Sequence, residues 1–225
     1  DEQIAGLVGG VDYVIHTAAM VNFRRNRLTQ FTGINTFGAV KMFQAASSAG
    51  VKRFVHISTV AATAAIERHN GNNSEHRGAP VKVNEETPYN LDHLRIPYFM
   101  TKRAAEDELL KLAKDSPTER VIVNPSIIVA PSRTGDDRGK AARRLRTPVL
   151  PGFHNRVNIV DVRDVAPAVL AAVQHGRPNE RYILAGDNLT LRELVLSISS
   201  SVGKFPHVMR MPRALLDIAA RISLW

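Results

Sequence analysis

The chain has 225 residues, 44% of them hydrophobic and 23% charged, with a formal net charge of +9. That is enough apolar material for one globular domain, or for a core with a small lobe. It contains no cysteine, which excludes disulfides, thiolate nucleophiles and cysteine-based metal sites and fits a reducing, cytoplasmic setting.

In chain order, the opening "DEQIAGLVGG" lacks the basic region of a signal peptide. "DYVIHTA" (12–18) is a short apolar run ending in small residues and reads as a buried strand. From Leu28 to Ala49, Phe31, Ile34, Ala39, Met42 and Phe43 recur at helical spacing, and Gly50 is the stop signal. "RFVHIST" (53–59) is the next strand. Residues 66–96 hold Gly71, Asn72, Asn73, Gly78 and Pro80 and read as loop; the extra polar stretch near 67–80 is a loop or a lid. Pro97 suits the first position of a helix that runs to about Lys114. "RVIVNP" (120–125) is a strand, 131–156 is loop-rich and basic, "VNIVDV" (157–162) is a strand and 163–176 a helix. A strand at 181–186 and a helix at 190–203 follow, and Leu215, Leu216, Ile218, Ala219 and Ile222 set out a further amphipathic helix.

Alternating strands and helices predict an α/β fold with a doubly wound parallel sheet. No apolar run approaches the roughly 20 residues of a membrane-spanning helix. The basic residues are densest at Arg24, Arg25 and Arg27 and at Arg138, Lys140, Arg143, Arg144 and Arg146. No aromatics are interleaved with them, so they read as a solvated face and not as a nucleic-acid surface. The eight histidines show no metal-ligand spacing, with His69 and His76 in the polar loop, and no metal site is expected. "GLVGG" (6–10) precedes a strand, whereas a phosphate-binding Gly-rich turn follows one. It reads as a turn between a helix and the strand at Asp12.

"PYFMTK" puts Tyr98 and Lys102 on one helix face. An ammonium beside a phenol favours phenolate, and a drop of roughly three units would make Tyr98 a general acid/base near neutrality. The spacing alone favours a packed amphipathic helix. The strand 53–59, however, ends in two hydroxyls, Ser58 and Thr59, at the strand end where doubly wound sheets bind ligands. Tyr89 has His93, not a lysine, four residues on. Asp161 and Asp164 flank a helix start, where carboxylates cap.

These segments together resemble the extended short-chain dehydrogenase/reductases, the NAD-dependent epimerase/dehydratase family. "VDYVIHTAAMVNF" resembles its D-x-V-x-H-x-A-A strand, and "INTFGAVKMFQAASSAGVKRFVHIST" its N-x-x-G-T helix and hydroxyl strand, with Ala39 where Thr is usual. "ETPYNLDHLRIPYFMTKRAAED" resembles the Tyr-x-x-x-Lys segment, and "VNIVDVRDVAPAVLAA" the V-x-D-V-A segment. "VNPSIIVAP", with Ala130 where Gly is usual, and "GRPNERYILAGDNLTLREL" are similar to dihydroflavonol-reductase-like and hopanoid-associated sugar-epimerase-like members.

The resemblance implies Tyr98 as general acid/base, and Lys102 as the group that holds the nicotinamide ribose and lowers the Tyr98 pKa. It implies Thr59 as the third catalytic residue, with Ser58 the competing assignment. It places His16, Ala18, Ala19, Met20, Lys102, Pro125, Ser126 and Ile127 at an NADP or NAD cofactor, and Asn35 in a structural or cofactor-side role. The implied activity is hydride transfer between nicotinamide and a carbonyl or hydroxyl carbon of a small molecule. The alternatives are a sugar-nucleotide epimerase or dehydratase, with 138–146 gripping a diphosphate or simply solvated, and a non-catalytic dinucleotide-binding scaffold or sensor. Residues 1–130 with 157–176 are expected to form the dinucleotide-binding core, and 131–156 with 177–225 a substrate lobe. A homodimer through the helices at 28–49 and 97–114 is expected. Against the family pattern, the first βα units with their phosphate-binding glycines are missing, so the chain reads as a fragment of a longer protein.

Overall fold

The structure is a computed structural model that describes residues 2–21, 27–64, 83–130, 149–152, 156–201 and 207–210. The segment 67–80, with His69 and His76, lies outside these residues. So do Arg24 and Arg25, the basic stretch 138–146 and the amphipathic pattern from Leu215 to Ile222. The chain divides into two units, residues 1–126 with 165–184 and residues 127–164 with 185–225.

The first unit is built on a four-stranded parallel sheet in the order β1 (Tyr13–His16), β2 (Arg53–Ile57), β3 (Glu119–Pro125) and β7 (Arg181–Leu184). His16 pairs with His56, and Ile57 with Val123. Successive strand residues point to opposite faces, and the two faces bury different partners. Phe54 joins Phe43 and Ala46 of α3 (Gly38–Ser48), Ala105 and Leu109 of α4 (Pro97–Ala113) and Val8 of α1 (Glu2–Val8). Val55, Val121 and Val123 meet Ala172 and Val173 of α5 (Val162–His175) on the other face. The sheet is therefore covered on both sides, as doubly wound sheets are. The Phe43 and Phe54 rings meet edge to face at 5.4 Å.

Local chemistry sets the element ends. Gly9 and Gly10 form the turn between α1 and β1, with Gly10 at φ +74°, as "GLVGG" was read. The helix from Leu28 is continuous to Ser48 but changes winding: α2 (Leu28–Phe31), a π-helical stretch (Thr32–Phe37), then α3. It closes in a Schellman motif, with Val51 N–H donating to Ala46 O at 3.0 Å and Gly50 N–H to Ser47 O at 3.1 Å. Gly50 takes φ +75° there. Pro97 opens α4, where its missing N–H has no bond to lose.

The second unit holds two small sheets. In one, β6 (Arg156–Asp161) pairs parallel with β4 (Ile127–Val129) and antiparallel with β8 (Asp187–Thr190). In the other, β5 (Val149–Gly152) pairs parallel with β9 (His207–Arg210). A capping box starts α6 (Leu191–Ser201): Thr190 N–H donates to Glu193 Oε2 at 2.6 Å, and Glu193 N–H donates to Thr190 Oγ1 at 3.2 Å. Asp161 caps α5 through Arg163 N–H at 2.8 Å and also pairs with the Arg163 guanidinium, which holds its carboxyl down at about 2.

The unit boundaries differ from the expected division. The strand at 157–162 was placed in the dinucleotide-binding core, but its ladder runs to β4 and β8. The strand at 181–184 was placed in the lobe, but it bonds to β3 and completes the core sheet. Backbone ladders decide membership, and "VNIVDV" and "RYILAG" are equally good strands that do not name their neighbours.

Candidate active site

The carboxyl edge of the parallel sheet gathers the predicted site residues of the first unit. His16 ends β1, Ser58 and Thr59 follow β2, and Pro125 and Ser126 close β3. Tyr98 sits in the first turn of α4, and Lys102 and Glu106 follow one and two turns on.

The Tyr98 and Thr59 hydroxyls are hydrogen-bonded to each other. Thr59 is extended (φ −161°, ψ 151°) and caps the short helical turn Val60–Ala62, accepting from Ala61 N–H at 3.3 Å. Ser58 goes the other way: it is buried, lies against the Glu106 carboxyl, and its N–H donates to Val123 O at 2.7 Å. Of the two competing hydroxyls, the one beside the phenol is Thr59.

The electrostatics of Tyr98 differ from expectation. Its pKa is raised, not lowered, because burial outweighs the Thr59 hydrogen bond that favours phenolate. The ammonium expected to lower it is committed elsewhere. Lys102 is buried, 1% exposed, and its Nζ donates to Ile57 O at 2.7 Å and to His56 Nε2 at 3.1 Å. Burial brings Lys102 down to about 8, with Glu106 working against the shift. His56 in turn meets His16, Nδ1 to Nδ1, at 3.1 Å. Burial, with Lys102 adding to it, lowers His16 to about 4, and His56 is lowered well below its usual value for the same reasons.

One turn on, Glu106 accepts from Asn124 Nδ2 at 2.7 Å and pairs with Arg181 at 3.2 Å. The same Asn124 amide donates to Thr59 O at 3.0 Å. Burial raises the Glu106 pKa, and Ser58, Arg181, Asn124 and Arg103 oppose the rise. Helix α4 thus holds residues 57–59 from both ends, through Lys102 on Ile57 O and through Glu106 and Asn124 on Thr59 O.

After β1 the chain carries small, open positions. Thr17 and Ala18 are exposed, and Ala19 and Met20 are half-buried. Asn35, in the π-helical stretch, fixes this segment as a strand partner would. Its Oδ1 accepts Met20 N–H at 2.7 Å, and its Nδ2 donates to Met20 O at 3.1 Å and to Thr101 Oγ1 at 3.2 Å. π-Helical turns inside α-helices recur at functional sites. Pro125 and Ser126 are buried, and Ser126 N–H donates to Leu184 O at 3.0 Å. Ile127 begins the second unit and is exposed. Tyr89 stands apart from this set, with the Arg103 guanidinium carbon 5.7 Å over its ring.

The family model described as "Male sterility protein", an NAD-binding family, matches residues 1–151. The chain belongs to this family. It is thereby an extended short-chain dehydrogenase/reductase. Among its relatives, sterol demethylase protein B of Methylococcus capsulatus is 27% identical over 96% of this chain and 63% of that protein. The solved structure of gox2253 is 28% identical, with a TM-score of 0.77 over 100% of this chain and 65% of that one. The dTDP-glucose 4,6-dehydratase DesIV of Streptomyces venezuelae, solved with NAD and TYD bound, gives a TM-score of 0.74 at 23% identity, over 93% of this chain and 63% of that one; at that identity it bears on the fold alone. The chain spans under two thirds of the length of each.

The sequence names Tyr98, Lys102 and Thr59 as candidates; it does not name three residues that the structure places against them. Glu106 carries a signal of its own: it lies four residues after Lys102, on the same helix face, between the buried Ala105 and Leu109. His56 sits in an apolar strand, and Asn124 just before a proline; neither stands out without the sheet that brings them to α4.

Proposed function

We propose that the full-length protein is an NAD(P)-dependent oxidoreductase that moves a hydride between a nicotinamide and a carbonyl or hydroxyl carbon of a small molecule. The observation that carries this reading is the hydrogen-bonded Tyr98–Thr59 pair at the carboxyl edge of a parallel sheet, where such folds bind their ligands. The residues after β1 fit a dinucleotide: the side chains are small, and Asn35 fixes the backbone. Ala18, Ala19 and Met20 with His16, and Pro125, Ser126 and Ile127, are the positions we assign to NAD or NADP, and Lys102 to its ribose.

When bound, the nicotinamide supplies or takes the hydride. Tyr98 gives its hydroxyl proton to the substrate oxygen in reduction and takes it back in oxidation. Thr59 donates to the Tyr98 oxygen as negative charge develops there, which favours the phenolate. Burial raises the phenol, so in the free protein Tyr98 rests protonated, as a donor. We assign recognition of the substrate to the second unit, whose loops vary the chemistry that a fixed core performs. The helix at 28–49 carries exposed Leu28, Ile34 and Phe37 and the helix at 97–114 exposed Leu110, which supports a homodimer through these helices.

The deciding experiment is Tyr98→Phe in the full-length protein, with NADPH and NADH oxidation followed over a panel of aldehydes and ketones. The phenol acts as acid and base, so kcat should fall by about 10²- to 10⁴-fold with cofactor affinity kept. An unchanged kcat would overturn the assignment.

A further inference from the structure

Behind Lys102 stands a chain of two imidazoles, His56 and then His16, whose bonds to each other and to the lysine the proton transfer above does not use. The geometry fixes its protons. An ammonium is a donor only, so His56 Nε2, 3.1 Å from Lys102 Nζ, is the acceptor. A neutral imidazole carries one N–H, so that proton is on His56 Nδ1. His56 Nδ1 then donates to His16 Nδ1 at 3.1 Å, and His16 keeps its own proton on Nε2. The two rings lie 16° apart with centroids at 5.3 Å, close enough to coplanar for that bond.

We propose that His56 is a positioning residue for Lys102, with Lys102 fixing its tautomer at Nε2 and His16 accepting the proton that this leaves on Nδ1. The imidazole pair then holds the ammonium at one fixed place on the carboxyl edge of the sheet. The inference rests on the assignment of Lys102 to the cofactor ribose, and it adds what keeps the lysine there. Nζ donates to Ile57 O and to the His56 ring, and both acceptors come from one strand. The carbonyl is present whatever the side chains; the imidazole is the part that the sequence chooses.

The groups facing His56 agree. Lys102 on α4, His16 on β1 and Arg120 on β3 each oppose a positive charge on the ring, and burial opposes it most. A protonated His56 would have no lone pair for Lys102. The pair therefore works only as neutral imidazoles, and their lowered pKa values keep them so across the neutral range. Simple packing of the two rings would need neither nitrogen aligned, and here both bonds are.

Two substitutions separate positioning from packing. In His56→Gln, the amide oxygen can accept from Lys102 while the amide nitrogen donates to His16. His56→Phe keeps a ring and loses both bonds. The first measurement uses the full-length protein without cofactor. Ring ¹⁵N shifts should show His56 protonated on Nδ1 and bare on Nε2, with His16 the reverse; a proton on His56 Nε2 overturns the proposal. The second follows the Lys102 ε-carbon signal against pH. Losing an acceptor disfavours the charged form, so the midpoint should fall by about one unit in His56→Phe and hold in His56→Gln. A midpoint unmoved in His56→Phe overturns it. Should the phenylalanine variant fail to fold, a midpoint that falls by a full unit in His56→Gln overturns it as well.

Turnover adds a third arm. A displaced lysine should lower kcat by about 10- to 100-fold in His56→Phe, with recovery in His56→Gln; equal loss in both overturns the proposal. The two spectroscopic measurements need neither cofactor nor substrate. They stand if the oxidoreductase reading fails, and they can fail while Tyr98→Phe behaves as that reading requires.

Discussion

The first turn of α4 and the two turns after it use polar side chains in opposite ways. Tyr98 is half-buried, and its hydroxyl meets another hydroxyl. Lys102 and Glu106, one and two turns on, are almost wholly buried, and their charges are spent on the end of β2 and the residues just after it. Lys102 takes Ile57 O directly, and Glu106 takes Thr59 O through Asn124. A charge brought out of water costs several kcal/mol and is repaid only when its hydrogen bonds are met. The shifts show that cost: Lys102 is pushed down to about 8, and Glu106 upward. The helix therefore uses its charges to set backbone geometry and leaves its phenol to react.

That contrast breaks cleanly if substitutions at the two places fail in the same way. Glu106→Ala should be the most damaging to stability. It strands Asn124 and Arg181 in the interior, and removing one member of a buried charged pair costs about 3–5 kcal/mol. Tyr98→Phe should cost under about 1 kcal/mol, since one partly exposed hydrogen bond is lost, while nearly all activity goes. Urea unfolding alongside turnover checks both. A Tyr98→Phe protein as unstable as Glu106→Ala would erase the distinction.

The dependence of stability on pH sharpens the same comparison. His16 titrates at about 4 when folded and near 6.5 when unfolded. Between those values the unfolded chain binds more protons, so stability rises with pH. The contribution is complete above 6.5 and is lost as pH falls through 4, a change on the order of a few kcal/mol. Glu106 runs the other way: its folded pKa is raised, so its contribution is present below the unfolded value and lost as pH rises through the folded one. Urea midpoints measured from pH 4 to 7 should climb in the wild type, climb less in His16→Gln, and climb more steeply in Glu106→Gln. Identical slopes in all three would refute the assignment.

Next in size is the choice between adjacent hydroxyls. Thr59→Ala removes the donor to the Tyr98 oxygen and should lower kcat by about 10- to 100-fold, a loss of one charge-assisted hydrogen bond. Thr59→Ser should restore most of it. Ser58→Ala, on the far side against Glu106, should leave kcat within a few-fold of wild type and act on stability instead. Steady-state kinetics of the three variants decides which hydroxyl belongs with the phenol.

Much of this was written in the chain. The strand periods, Pro97 at the start of α4, Gly50 at the end of α3 and the Tyr98–Lys102 face all follow from local rules. The hydroxyl strand, read with its neighbours, pointed to the candidate site. What was not legible is relational. Lys102 was expected to act on Tyr98, because four residues on a helix make them neighbours. A lysine side chain can point either way along its face, and the acceptors that claim it, Ile57 O and His56, lie on another element 45 and 46 residues away. The partners of β6 and β7 were missed for the same reason. Hydrophobic period says that a segment is a strand and not which ladder it joins. The short strands β4, β5, β8 and β9, each of three or four residues, carry too little pattern to be seen.

The smallest expected effect tests whether stability and site can be moved apart from outside the site. Gly50 ends α3 at φ +75°, and a Cβ built there meets nothing within 4 Å. The cost of Gly50→Ala is therefore backbone strain alone, about 1 kcal/mol, with no clash to add to it. The Schellman bonds to Ala46 O and Ser47 O lie before β2, while the site lies after it. Arg53 to His56 of β2 are held on both sides by parallel ladders to β1 and β3, and Ile57 pairs with Val123 of β3. A strand so held should not pass a frayed helix end to Thr59. The expected result is a lower urea midpoint with kcat and KM unchanged. A kcat that falls with the midpoint would mean that the geometry at Thr59 depends on how α3 enters β2, and that the charges of α4 do not fix the hydroxyl loop by themselves.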